Sequence, residues 1–272
     1  MSASYSVLGK IKILICAHKK CTLPKDDVFL PVQVGAAIAN EDLGLQRDDE
    51  LNGKPCDNIS AKNKSYCELT ALYWAWKNID KLYPDIEYIG LNHYRRYFDF
   101  NNYYYDTYIK PESDAKYYTI NKNKLYAYLK KGYALVAKPK IYKYSLFVDY
   151  CVCHIADDIR TLKQVIAEYY PAYSKSFREV MEENNKLSHY NMFVLPYRQF
   201  VDYCAFLFGV LKKVEERIDI SHYSDSQKRI FGYMAERLFN IYLHKNRIKT
   251  KRIPIIQFAD KEMPSFLFRS EE

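Results

Sequence analysis

The sequence predicts an α/β fold: one domain with a mostly parallel central sheet, flanked by helices and followed by a helical C-terminal part. Three observations carry that reading. Short apolar runs recur, and each stops abruptly on basic residues: 10–17 before His18, Lys19 and Lys20, 88–91 before His93, Arg95 and Arg96, and 132–137 before Lys138 and Lys140. Between them lie stretches whose apolar residues recur at helical spacing. The chain has 272 residues with 49% apolar content, enough to fill a large packed domain, so disorder is not expected. Continuous apolar runs mark strands buried on both faces, and in open sheets ligands bind just beyond the carboxyl ends of such strands.

Taken in order, residues 10–17 give the first strand. Neither G-x-G-x-x-G nor G-x-x-x-x-G-K-[ST] follows it, which disfavours dinucleotide enzymes and P-loop NTPases. A second short strand is expected within 30–39, around Val32-Gln33-Val34. Residues 40–64 are polar and turn-rich and read as a long loop, a feature usually functional or mobile in a compact domain. Ser65 and Glu68 match the S-x-x-E capping box, which assigns Glu68 to helix capping in preference to catalysis. Leu69, Leu72, Tyr73, Trp76, Ile79 and Leu82 then fall on one helical face, with Trp74 off that line, toward a site or a second layer. After Pro84-Asp85 comes the strand that ends in His93-Tyr94-Arg95-Arg96.

Residues 101–118, rich in Tyr and Asn, are expected to form a surface loop able to fold over a ligand. A short helix over 120–131 and a strand over 132–137 come next. From 145 onward the pattern is mainly helical, with one helix running to Tyr169 and closed by Pro171. On it His154 and Asp158, four residues apart, share a face, either as a base with its orienting carboxylate or as a surface hydrogen bond. Residues 189–195 are the last strand, before Pro196, and 198–212 an apolar helix. Ser224 and Gln227 form a second capping box, opening a helix that runs to about His244. Its core line is Phe231, Met234, Ala235, Leu238, Ile241 and Tyr242. Glu236 and Arg237 lie off it, as a solvated pair or with Glu236 facing a site.

The net charge of +8 points to anionic partners, and much of it sits at Lys245, Arg247, Lys249, Lys251 and Arg252. Cys151 and Cys153 are too close for the usual zinc spacing, so no metal site is assigned. An odd count of seven cysteines, with no secretory signal, suggests reduced thiols and a cytoplasmic location. The apolar run at 11–17 is too short for a signal peptide or a membrane span. The 28 tyrosines offer surfaces for stacking sugars or bases, although an A+T-rich coding sequence yields the same excess. Arg95 and Arg96 at a strand's carboxyl end need an anion, and a planar, always-charged fork suits phosphate or carboxylate. The alternative is an arginine pair salt-bridged beside the sheet.

Several blocks together carry a family resemblance: Cys56-Asp57-Asn58-Ile59-Ser60 with Lys62-Asn63, Tyr66-Cys67-Glu68-Leu69-Thr70, Tyr73-Trp74-Ala75-Trp76-Lys77-Asn78, Gly90-Leu91-Asn92-His93-Tyr94-Arg95-Arg96-Tyr97-Phe98, Tyr190-Asn191-Met192-Phe193, and residues 231–238. From about residue 10 to 245 the chain resembles the domain-of-unknown-function family found in bacterial capsular polysaccharide, exopolysaccharide and O-antigen loci and assigned there to glycosyl transfer. The resemblance implies a single GT-A-like domain, with residues 10–140 as the nucleotide-sugar half, 141–250 as the acceptor-side helical half and 251–272 as a basic, extended tail. It further implies a nucleotide-diphosphate sugar donor, a UDP-sugar with galactose (pyranose or furanose) as one option, and a growing, lipid-linked glycan acceptor. The protein would then work in the cytoplasm or peripherally at the inner face of an anionic plasma membrane.

Most GT-A enzymes hold Mg²⁺ or Mn²⁺ with an Asp-x-Asp after the central strand, where this chain has His93-Tyr94-Arg95. That departure puts positive side chains in the metal's place and leaves metal dependence, including recruitment by Asp99 or a histidine, open. Donor binding is expected from Arg95, Arg96, Asp57, Asn58, Lys62, Asn63, His18 and Asn191, with His93 as a hydrogen-bond donor or orienter. Glu236 is preferred as base over His154, Asp158 and His189. The competing reading is a non-catalytic nucleotide-sugar or carbohydrate-binding component of an assembly complex. Nucleic acid is disfavoured, because no helix-turn-helix, zinc finger or RNA-binding signature is present.

Overall fold

The first strand shows why the chain folds in layers. In β1 (Ile11–Ala17) Leu14 and Cys16 point into one hydrophobic core, while Ile11, Ile13, Ile15 and Ala17 point into a second on the other face. The structure is a computed structural model describing residues 10–101 and 106–259. After β1 come β2 (Phe29–Gln33), β3 (Gln46–Arg47), the hairpin β4 (Glu50–Leu51) and β5 (Lys54–Pro55), α1 (Leu69–Leu82), β6 (Tyr88–His93), β7 (Arg96–Phe98) and β8 (Thr107–Lys110). The chain continues through α2 (Lys122–Lys130), β9 (Ala134–Ala137), β10 (Lys140–Ile141), α3 (Leu146–Cys153), α4 (Ala156–Tyr169), β11 (Lys186–Leu187) and β12 (Phe193–Pro196). It closes with α5 (Tyr197–Glu215), α6 (Ile230–Lys245), β13 (Thr250–Ile253) and β14 (Ile255–Phe258).

The main sheet has the order β13-β9-β12-β6-β1-β2-β3, and only β12 runs against the others. The fold is the α/β architecture with a mostly parallel central sheet that the sequence predicts. β6 lies at its centre, parallel to β1 with His93 beside Cys16, and antiparallel to β12. It then turns back into β7, which pairs with β14, and β14 with β8, as a second leaf of the sheet. The carboxyl ends of β1, β6 and β9 share one edge, as expected, because β12 is antiparallel to both β6 and β9.

Several local expectations give way. The Ser65/Glu68 capping box does not form: Ser65 belongs to a helical turn, Asn63–Tyr66, and Cys67 breaks the chain at φ 52° before α1 begins. Trp74 faces the second layer, fully buried, with Nε1 donating to the Glu50 carbonyl at 2.8 Å. Part of the expected loop at 101–118 is β8, and Tyr118 packs on Phe29, Tyr97 and Phe258; residues 102–105 lie outside the described residues. The single helix expected up to Tyr169 is two, α3 and α4, separated by an extended His154. The start of the expected basic tail is sheet: β13 and β14 place Lys251 over the Tyr128 ring and Lys249 over Tyr133, while residues 260–272 lie outside the described residues. The second capping box half-forms, with Gln227 N donating to Ser224 Oγ at 3.3 Å, but α6 proper starts at Ile230.

Candidate active site

Where β1 and β6 end, the sheet opens into a cavity of about 630 Å³. Its floor is Cys16 and His93, its near wall His18 with the cationic Arg95 and Arg96, and its far side Cys67 and Glu68 with Gly232, Tyr233 and Glu236 of α6. Lys64, Lys228 and Arg229 stand at the mouth, with Asp225 among them.

The arginines are held without being neutralised. Arg96 Nε donates to Gln257 Oε1 at 3.0 Å, and its guanidinium lies 4.5 Å from the Tyr190 ring centre. The Arg95 guanidinium lies 5.0 Å from the Tyr94 ring centre, and its Nε is buried without a hydrogen-bond partner. Among the described residues neither forms an ion pair, so the salt-bridged alternative is not what the structure contains. Burial pulls the Arg96 guanidinium below its usual range, and the neighbouring Arg95 pulls the same way. Two half-buried like charges raise each other's cost, and an anion between them relieves it.

His93 closes the floor. Its Nε2–H donates to the Tyr190 carbonyl at 2.6 Å, which leaves Nδ1 as an acceptor while the ring is neutral. Burial lowers its pKa, with Arg96 adding to the shift and Glu68 opposing it. The one N–H of the neutral ring is thus committed to a backbone carbonyl. Burial, Lys19 and Arg95 likewise depress His18, which meets Tyr94 edge-on at 5.3 Å.

Opposite the arginines the carboxylates divide. Glu236 Oε1 accepts from the Tyr190 amide at 2.6 Å, and Oε2 accepts from Arg237 Nη1 at 3.0 Å and lies 3.6 Å from His189 Nδ1. Burial would raise this carboxyl, but His189, Arg237 and the Tyr190 amide outweigh it and hold the group at about 2. Arg237 is only 3% exposed, so the pair is not solvated. Glu68 is differently placed. Oε1 accepts from Asn191 Nδ2 at 2.7 Å, Oε2 has no hydrogen bond among the described residues, and the side chain lines the cavity.

The backbone around Glu68 is strained. Cys67, Tyr190 and Asn191 all adopt left-handed φ, at 52°, 69° and 51°. Such conformations cost roughly 1–3 kcal/mol each in non-glycine residues and gather at functional sites. Asn191 is buried, and besides Glu68 its amide donates to the Gly232 carbonyl at 3.2 Å, which fixes the Glu68 orientation. A Cβ at Gly232 would approach Cys67 Sγ to 3.3 Å, so α6 needs its glycine to lie this close to the turn.

Of the residues expected to bind donor, the structure brings His18, Asn63, Arg95 and Arg96 to the cavity. Asn63 does so while donating to the Cys67 carbonyl at 2.7 Å. Asn191 lies behind the wall and positions Glu68. Asp57, Asn58 and Lys62 are elsewhere. Asp57 accepts from Tyr73 OH, Asn58 ties the loop to the Cys56 carbonyl, and Lys62 pairs with Glu215 of α5 at 2.7 Å. His154 packs tilted against two rings, 4.2 Å from Tyr233 and 4.7 Å from Tyr150, and does not line the cavity. Asp158 lies on α4, beyond the break at His154, and accepts from Tyr223 OH at 2.7 Å, so the expected pair with His154 does not exist. His189 backs Glu236 and bonds Tyr142. Asp99 is buried outside the cavity, accepting from the Asn101 amide. Among the remaining basic strand ends, Lys20 pairs with Glu41 and Lys138 with Asp106. No cluster of three or more His, Cys, Asp or Glu side chains suited to a metal occurs among the described residues.

The fold and this site define a mixed α/β protein with a cationic, carboxylate-faced cavity at its strand ends. Residues 12–247 match the domain-of-unknown-function family DUF4422, and the chain belongs to that family. Among solved structures it resembles the apo structure of WbbM, a bifunctional glycosyltransferase, with a TM-score of 0.79 and 27% identity over 92% of this chain. The matched region is 45% of the WbbM chain, so this chain spans less than half of that relative. No curated protein sequence matches.

Proposed function

We propose that the protein is a glycosyltransferase that moves a sugar from a nucleotide-diphosphate donor to a growing cell-surface glycan. The observation that carries this reading is the pair of unneutralised guanidiniums, Arg95 and Arg96, facing the carboxylate Glu68 across one cavity. Transfer creates negative charge on the leaving diphosphate, and preorganised cations there stabilise the transition state. If the anomeric centre inverts, the acceptor hydroxyl also needs a base. Glu68 serves that role better than Glu236: one of its oxygens is free of hydrogen bonds among the described residues, whereas Glu236 at about 2 is already satisfied and a poor proton acceptor near neutral pH. Glu236 instead positions His189 and the Tyr190 turn. The likeness to WbbM supports the class of reaction.

In its finer form the reading takes a UDP-sugar, galactose among the candidates, and a lipid-linked acceptor of a capsular or O-antigen polysaccharide, at the cytoplasmic face of an anionic membrane. The test is a thermal-shift panel of nucleoside diphosphates with and without Mn²⁺, followed by nucleoside diphosphate release from the matching nucleotide sugars. A ligand that binds only the folded chain raises its Tm. Arg95→Ala is expected to lower turnover about 10²–10³-fold. Turnover within a few-fold of the unaltered chain overturns the assignment. Binding without turnover favours the non-catalytic nucleotide-sugar-binding reading.

A further inference from the structure

Of the seven large apolar side chains that stand exposed among the described residues, four fall within residues 141–152: Ile141 at 64%, Tyr144 at 53%, Val148 at 44% and Val152 at 74%. They are consecutive features of one corner. β10 carries Ile141, and the chain passes Tyr144 and the cap Ser145 directly into α3. The helix reads Leu-Phe-Val-Asp-Tyr-Cys-Val-Cys, with one charged residue in two turns. That residue, Asp149, is turned inward, 3.9 Å from Arg237, while Leu146 and Tyr150 fill the core. The outward face of α3 is therefore apolar and uncharged. A surface helix of a protein that meets only water carries polar residues there instead.

The surroundings say what covers it. Lys140 and Lys143 flank Ile141 in sequence, and Lys186 stands opposite Ile141 in the β10–β11 pair. All three are exposed, and none makes an ion pair among the described residues. The carboxylates nearest in sequence are already engaged, Glu182 with Lys163, Glu183 with Arg178 and Asp157 with Arg160. Lys140 lies over the Tyr142 ring and Lys143 over the Tyr144 ring, so an apolar tip flanked by lysines that no carboxylate neutralises among the described residues matches an anionic bilayer surface, where apolar groups enter the headgroup boundary and long cationic side chains reach the phosphates. No helix among the described residues is long and apolar enough to cross a membrane, so the contact is with the surface.

We infer that the β10–α3 corner is a membrane-docking face that seats the protein on anionic phospholipid. Its position gives it a use. The Cys153 carbonyl at the end of α3 accepts from Gln227 Nε2 at 3.5 Å, immediately before Lys228 and Arg229 at the cavity mouth. His154, the next residue, stacks on Tyr233 of the cavity wall. Docking through α3 brings that mouth to the lipid surface, where an acceptor carried on lipid would lie. That use rests on the transfer reading; the docking itself does not.

The experiment is flotation of the full chain with vesicles of equal parts phosphatidylglycerol and phosphatidylcholine, against vesicles of phosphatidylcholine alone. Binding is expected to the anionic vesicles, weakening as salt is raised. Val148→Glu with Val152→Glu should abolish it, and Lys140→Ala with Lys143→Ala and Lys186→Ala should weaken it about a hundredfold. The substituted residues are exposed, and an unchanged melting temperature and circular dichroism spectrum without ligand certify that each variant is folded. The inference is overturned if the unaltered chain does not float or if the variants float as well as it does. It is equally overturned if the chain self-associates and the glutamates merely make it monomeric, since the face is then a contact between copies. Vesicle binding is scored without turnover, so loss of the transfer reading and loss of this one are separate results.

Discussion

A half-buried guanidinium with no anion beside it is costly, and the chain keeps two of them adjacent. Arg95 and Arg96 were legible because their run of basic residues ends an apolar strand, and strand ends meet ligands. Glu68 was not. Its spacing from Ser65 satisfies a capping rule completely, and nothing about cysteine announces that Cys67 turns left-handed and breaks the box. The Asn191 partner lies 123 positions away, where short-range pattern carries no information. Lys62 falls outside the cavity for the same reason, since its partner Glu215 is 153 positions distant. Glu68→Gln keeps the shape and the Asn191 contact but cannot take a proton. We expect it to bind nucleoside diphosphate within a few-fold of the unaltered chain while turnover drops about 10²–10⁴-fold. Comparing calorimetric binding with single-turnover rates checks this; equal losses in both would mean that Glu68 only shapes the pocket.

At the scale of elements, the strands were read best and the joints between them worst. Apolar runs with helices between them fix which segments are buried, which is why β1, β6 and β9 fall where expected. The break between α3 and α4 has no glycine or proline to mark it; His154 is extended there, with its ring packed between Tyr150 of α3 and Tyr233 of α6. β6 shows how tightly the central element is fitted. A Cβ at Gly90 would lie 2.6 Å from the Phe193 carbonyl oxygen and 2.9 Å from Val194 Cγ2, both on the neighbouring β12. Gly90→Ala should therefore push β6 and β12 apart, at a cost of about 2–3 kcal/mol. In a domain of this size that corresponds to a Tm lower by about 5–10 °C, read by calorimetry. A Tm change of a degree or less would show that β12 shifts freely, contrary to its burial.

Across the whole molecule, the family match ends at residue 247, yet the sheet does not. β13 completes one edge beside β9, and β14 joins β7 to β8 with Ile255, Ile256 and Phe258 buried in the second core. The basic residues of this stretch were legible as charge, but their strands were masked by the alternating lysines and arginines that surround Ile253. Cutting the chain after Arg247 should leave it without cooperative unfolding, as judged by loss of near-ultraviolet circular dichroism and rapid proteolysis. A truncated chain that melts as sharply as the full one would remove β13 and β14 from the core.

Gln257 lies on β14, and it is the side chain that grips Arg96 Nε. During synthesis the N-terminal β1–β6 framework emerges first, so its arginine waits unanchored through more than half of translation. The wall of the cavity in a nascent chain thus cannot be completed until β14, the last strand among the described residues, has left the ribosome.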